Sequence, residues 1–126
     1  MKLGEYVKYD AIGLAELVEK GEITPDELAT LAQEAAKKVN DKLNAIVSIF
    51  DEPYQEEAIE GAKFRGVPTF MKDLGASVIG ITQESGSRLT AGFVSPLTTN
   101  FAQNVLNSGF QLIGRSACPE FGLTLT

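Results

Sequence analysis

The chain is 126 residues long, 44% hydrophobic and 22% charged, the size and balance of one ordinary globular domain. Its formal net charge of −6, with Lys37 and Lys38 the only adjacent basic pair, disfavours nucleic acid and anionic membrane surfaces, whose phosphates select basic stripes. It contains no histidine, which excludes a Ser-His-Asp centre, a Cys-His centre and a histidine-ligated zinc among these residues and leaves proton transfer to Lys, Asp, Glu or Tyr.

The opening MKLGEYVKYD holds no apolar signal-peptide core, and no apolar run approaches the ~20 residues of a membrane span. Two helices are expected next. Asp10 is placed to cap the first, Leu14, Leu17 and Val18 form its apolar stripe, and Gly21 stops it. Thr24-Pro25-Asp26-Glu27 then combines a capping box with proline at the first helical position, followed by Leu28, Leu31, Ala32, Ala35 and Val39 at helical spacing. LNAIVSIF (43–50) reads as a short strand, and EPYQEEAIEGA (52–62) as a short helix with acidic residues at its start. VPTFM (67–71) is a compact strand with Pro68 near its beginning.

Residues 75–96 are rich in Gly, Ser and Thr and read as irregular structure, a length of loop that is more often functional than idle. LTTNFAQNVLNSG (97–109) reads as a helix capped by Thr98 or Thr99, with Phe101, Val105 and Leu106 on one face and Gly109 at its end. FQLIGR (110–115) is a second strand, so strand, crossover helix and strand make a βαβ unit with parallel strands and a right-handed crossover. The expected organisation is a helical part over 10–40 and the βαβ unit over about 66–115, with no internal repeat and no linker between them.

Lys72 follows the first strand of that unit, at the sheet edge where α/β proteins collect ligands. Desolvated there it can serve as a base; solvated beside Asp73 it is an ordinary surface charge. The glycines of GASVIGITQESGSR lack both phosphate-binding spacings and are better read as permitting close backbone approach around a pocket. Cys118 cannot close a disulfide within the chain, suits a reducing cytoplasm and reads as a small buried hydrophobe with no histidine to activate it. Asp51, Glu52, Glu56, Glu57 and Glu60 read as a solvated helix face, and Glu120, after Pro119, as a residue stabilised at a helix start.

Together these segments resemble the amidase signature family. GVPTFMKDL (66–74) looks like its first signature segment, a glycine and proline leading a short strand into Lys-Asp. GLAELVEKGEITPDEL is similar to the family's N-terminal helix pair, VNDKLNAIVSIFDE to the segment after it, ITQESGSRL to its Thr and Gly-Ser segment, and LNSGFQLIGRSACPEFGLT to the strand running into Pro-Glu-Phe-Gly. The pieces follow in the family's order across residues 10–126, with a flavour nearest the bacterial amidases that include hydrolases of nylon-type oligomers. The resemblance implies amide hydrolysis by a Ser–cis-Ser–Lys triad, with no cofactor and no metal. It makes Lys72 the triad lysine, a neutral base that deprotonates a bridging serine, which in turn activates the nucleophile.

In the family both triad serines lie downstream of Pro-Glu-Phe-Gly. This chain has no Ser-Ser and no Gly-Gly dipeptide, and its serines at 48, 77, 85, 87, 95, 108 and 116 match neither. The expectation is therefore an α/β fold: an N-terminal helical region and the first parallel strands of the family's mixed sheet, truncated to about the first quarter of a member. Alone it is expected to be inactive, the small-molecule amide being a partner of the complete enzyme only. Its open sheet edge is expected to pair with a second copy or with a complementary serine-bearing chain. Two other readings stand beside this one: a non-catalytic interaction module, and a truncated relative of the amidotransferase A subunit that acts on glutaminyl or asparaginyl transfer RNA.

Overall fold

The computed structural model describes residues 1–124. It opens with a single helical turn, α1 (Leu3–Tyr6), which no sequence pattern announced. The next two helices begin where their caps put them. Asp10 Oδ1 accepts the Gly13 N–H at 2.8 Å and starts α2 (Ala11–Glu19). Thr24 and Glu27 form the reciprocal capping box of α3 (Pro25–Leu43), with Pro25 at its first position. α3 ends at Asn44 in the left-handed conformation. Just before that end, Asn40 brackets Ile46, accepting its N–H at 2.8 Å and donating to its carbonyl at 3.0 Å.

β1 (Ile46–Tyr54) runs further than the expected strand. It absorbs Glu52–Tyr54, and no helix follows over 55–62, which corrects the helix expected at 52–62. The physical reason is that this stretch has no apolar stripe to bury: Ile59, its one large aliphatic residue, is 56% exposed. Nor is Glu56 part of a solvated helix face. Its carboxylate accepts the Tyr54 hydroxyl at 2.8 Å and Gln103 Nε2 at 2.7 Å.

β2 (Pro68–Lys72) and β3 (Gln111–Ser116) are parallel, with α4 (Asn100–Asn107) between them in sequence. This is the expected βαβ unit. β1 joins antiparallel on the other side of β3, so the sheet is mixed and its order is β1-β3-β2. β3 is buried from Gln111 to Arg115, as a central strand between two layers. Leu112 packs toward α4 with Met71, Val78, Ala102 and Leu106; Ile113 packs toward α3 with Ala29 and Ala32. A third cluster around Leu14, Leu17, Leu28 and Val67 joins α2 and α3 to the start of β2.

Thr99 caps α4, accepting the Ala102 N–H. The buried face of α4 is Ala102 and Leu106 and excludes Phe101, which is 63% exposed, a correction to the expected stripe. A small residue at 102 lets the helix approach the sheet, and that geometry turns Phe101 aside. Gly114 marks a second close approach: a Cβ there would lie 2.2 Å from the Ser48 carbonyl oxygen and 2.7 Å from the Phe70 ring. Residues 75–96 are irregular apart from a 3-10 turn at Arg88–Thr90 and a bridge between Thr82 and Val94. Among the described residues no helix is long and apolar enough to cross a membrane.

Candidate active site

Lys72 is the last residue of β2, at the end of the parallel pair, and its side chain is exposed. It lines a cleft of about 480 Å³ between β2 and α4, walled by Phe70, Leu74, Phe101, Val105 and Phe110. Thr69 brings the only hydroxyl among the described residues of that wall. A separate cleft of about 560 Å³ is lined by Ser48, Asp73, Thr82, Glu84 and Arg115 among others, and Lys72 does not line it.

The backbone around Lys72 is held on every side. Its carbonyl oxygen accepts Arg115 Nη1 at 3.3 Å. The next N–H, that of Asp73, donates to the Ser116 carbonyl at 3.0 Å. Asp73 is only 2% exposed. Its carboxylate accepts the Glu84 N–H at 3.0 Å and the Gly86 N–H at 3.3 Å, so it pins the 84–86 loop beneath the strand end. Gly86 is needed there: its φ is +66°, and a Cβ would sit 2.6 Å from the Cys118 carbonyl oxygen. Cys118 Sγ donates to the Asp73 carbonyl at 3.5 Å, and Ser87 Oγ donates to Glu120 at 2.7 Å.

Three of the family-like segments therefore converge on the Lys-Asp dipeptide: GVPTFMKDL supplies it, ITQESGSRL receives the Asp73 carboxylate, and LNSGFQLIGRSACPEFGLT closes around both with its strand and its PEFG end. Cys118 is half-buried rather than fully buried. Burial pushes its thiol pKa up, Asp73 adds to the rise, and Lys72 opposes it. Glu120 opens a 3-10 turn, Glu120–Gly122, and its carboxylate is engaged by Ser87.

Arg115 is the residue that sequence reasoning missed. It is 1% exposed in the central strand, and its Nη1 also donates to the Ala76 carbonyl at 2.6 Å. Burial lowers its pKa from the ordinary guanidinium value, and the negative charge of Asp73 opposes that fall. The available signal was an arginine inside the apolar run QLIGR, since a strand buried on both faces has no solvent side for a charge.

The chemistry on offer is one amine lining an apolar cleft, on a peptide hydrogen-bonded to Arg115 and Ser116. No serine lines that cleft among the described residues. No family model matches the chain. In sequence it is 33% identical over 122 residues to the lipoamidase of Enterococcus faecalis, covering 94% of this chain and 17% of that protein. It is 32% identical over 125 residues to the A subunit of the glutamyl-tRNA(Gln) amidotransferase of Deinococcus deserti, covering 93% of this chain and 25% of that protein. The fold matches 6-aminohexanoate cyclic dimer hydrolase, solved with its substrate, at a TM-score of 0.78 and 27% identity over 94% of this chain and 25% of that one. A bacterial aryl acylamidase of the amidase signature family shares the fold at a TM-score of 0.73 and 21% identity, over 90% of this chain and 26% of that one. The chain spans about a quarter or less of the length of these relatives. By sequence and fold together, this chain belongs with the amidase signature enzymes.

Proposed function

We propose that this chain is the lysine-bearing portion of an amide hydrolase, with Lys72 as the base of a centre whose two serines come from outside these 126 residues. The observation that carries the reading is the placement of Lys72. It ends a parallel strand, it lines an apolar cleft, and its peptide is fixed by Arg115 and Ser116. A neutral Lys72 Nζ takes the proton of the bridging serine, which takes the proton of the nucleophile. The nucleophile then attacks the amide carbon, and the proton returns to the departing amine. The carbon walls of the cleft suit an uncharged substrate chain.

The test is reconstitution. The 126-residue polypeptide alone is expected to give no turnover of a simple aliphatic or aryl amide. Mixed with a chain carrying a Gly-Gly-Ser-Ser-Gly-Gly segment it is expected to gain hydrolysis, and Lys72→Ala is expected to lower that activity by ~10²-fold or more. Turnover by the polypeptide alone, abolished by Lys72→Ala, would refute the division of labour. Reconstituted activity that survives Lys72→Ala would refute the base.

The same mixture tests how the chains meet. The outer edge of β2 carries no strand among the described residues, and such an edge accepts another. A monodisperse monomer in light scattering at all concentrations, with no complex in the mixture, rules that docking out. The lone thiol, Cys118, fits a reducing cytoplasm.

The identity to an amidotransferase A subunit favours a second reading, in which the liberated ammonia is transferred rather than lost. The acidic charge of the chain would place the transfer RNA on another polypeptide. Ammonia transfer to glutamyl-tRNA, in place of hydrolysis of simple amides, would select that reading.

A further inference from the structure

We infer that Arg115 is the positioning residue of the Lys72 site, acting through the backbone of the turn that follows β2. The inference rests on the reading of Lys72 as the base, and it starts from a physical oddity. A guanidinium buried in a central strand costs several kcal/mol of desolvation unless its hydrogen bonds and counter-charge return it. Here they do so only in part. Nη1 is engaged twice, while Nε and Nη2 have no hydrogen-bond partner among the described residues.

The two bonds that Arg115 makes are specific to one place. They go to the carbonyls of Lys72 and Ala76, which bracket the turn at residues 73–75. In register, Arg115 lies opposite Met71, one residue before Lys72, so its side chain has only to reach past the end of β2. An apolar residue of similar length would fill the strand without the desolvation penalty, but it would leave both carbonyls without this donor. The arginine also sets its charge against buried Asp73, whose carboxylate holds the 84–86 loop. One side chain thus ties the carbonyl of the base, the far end of its turn and the charge of its neighbour into one unit. Lys72 keeps an exposed side chain on a clamped backbone, which is what a proton acceptor that must meet a separately supplied serine requires.

The experiment uses this chain, labelled with ¹³C and ¹⁵N, as wild type, Arg115→Met and Arg115→Lys. The Met variant is expected to move the carbonyl resonances of Lys72 and Ala76 together. It is expected to speed amide exchange at Asp73, Glu84 and Gly86 about tenfold or more, while amides around Leu28 and Leu106 keep their protection. The Lys variant restores a donor and is expected to recover most of the carbonyl shift. A uniform rise in exchange through both cores would mean that Arg115 only fills space, and unmoved carbonyls would mean that the clamp is not real in solution; either overturns the proposal. If the Met variant does not fold, the Lys variant decides: its ammonium stops about one bond short of Nη1, so the Lys72 and Ala76 carbonyls should keep a small joint shift from wild type, and unmoved carbonyls overturn the clamp. In the reconstituted enzyme, Arg115→Lys is expected to lower kcat about tenfold with KM unchanged. Reconstituted hydrolysis that ignores Lys72→Ala sinks the base reading alone, because the resonance measurements need no activity.

Discussion

Replacing Gly114 with alanine tests the packing on which the site stands. An added Cβ would lie 2.2 Å from the carbonyl oxygen of Ser48, on the neighbouring strand. Ordinary carbon–oxygen contact is about 3.2 Å, so β1 and β3 must part locally by about 1 Å. Ladder bonds of about 2.9 Å would then stretch beyond hydrogen-bond range around the Ile49–Gly114 pair. Losing two or three such bonds costs about 2–4 kcal/mol, and turning the Phe70 ring away, 2.7 Å from the same Cβ, costs about 1 kcal/mol more. Against this, alanine stiffens the unfolded chain and returns about 0.5–1 kcal/mol. The net is about 3 kcal/mol from a domain total of about 5–15 kcal/mol. With a urea slope of about 2 kcal/mol/M the midpoint should fall by about 1.5 M. Exchange should quicken first along β1, which α3 holds through Asn40 and Gln33, and last along the β2–β3 pair. A midpoint within about 0.3 M of wild type would show that the strands yield freely and that the close approach carries no load.

Two predictions concern single ionisable groups. Glu27 has its pKa lowered, first by the backbone N–H of Thr24 and then by the Thr24 hydroxyl. Its contribution is fully present above the unfolded value of about 4.5 and is lost as pH falls through the lower folded value. Glu27→Gln keeps the cap geometry without the charge. Thermal melts should therefore show wild type above the variant at neutral pH, with the two converging as pH drops below that window; a gap that widens in acid refutes the sign. The Cys118 thiol, raised chiefly by burial, should react with a disulfide reagent at pH 8 several-fold more slowly than free cysteine, and Lys72→Met should slow it further by removing a charge that favours the thiolate. Faster reaction in that variant would show that Lys72 shields the thiol sterically instead.

What was legible in the sequence was what is decided locally. Asp10 and the Thr24–Glu27 box act over three residues, so their helices start where the sequence put them. The end of β2 at Lys72 was equally plain, because a short apolar run gives way there to two charges. The misread stretch, 52–62, was decided at a distance: Glu56 belongs to Gln103, 47 residues on, and no local propensity encodes that pairing. Arg115 was missed for the same reason. Its partner carbonyls lie 43 and 39 residues earlier, and only the parallel register makes them neighbours. Asp73 looked like a surface companion of Lys72 until the amides of residues 84 and 86 came round to it. The candidate site was visible as a lysine, and the hydrogen bonds around it were not.

The two edges of the sheet are unlike, and the difference bears on where a partner must come from. β1 carries Pro53, the charges of Asp51 and Glu52, and two breaks in register, which are the devices that keep an edge from pairing. β2 has its proline at the first residue, where a missing donor does least, and one break in register between Thr69 and Phe70. Beside it run the apolar cleft and the exposed ring of Phe101, and its one charge is Lys72. A strand added to this protein is therefore expected at β2, beside the cleft that Lys72 lines. The lysine proposed as the base and the edge of β2, which carries no strand among the described residues, fall on the same side of the molecule. Charging the edge separates them: Thr69→Lys should abolish complex formation with a serine-bearing chain while leaving Lys72 and its clamp intact. If that variant still assembles fully, the serine arrives by another route and the open edge has no part in the reaction.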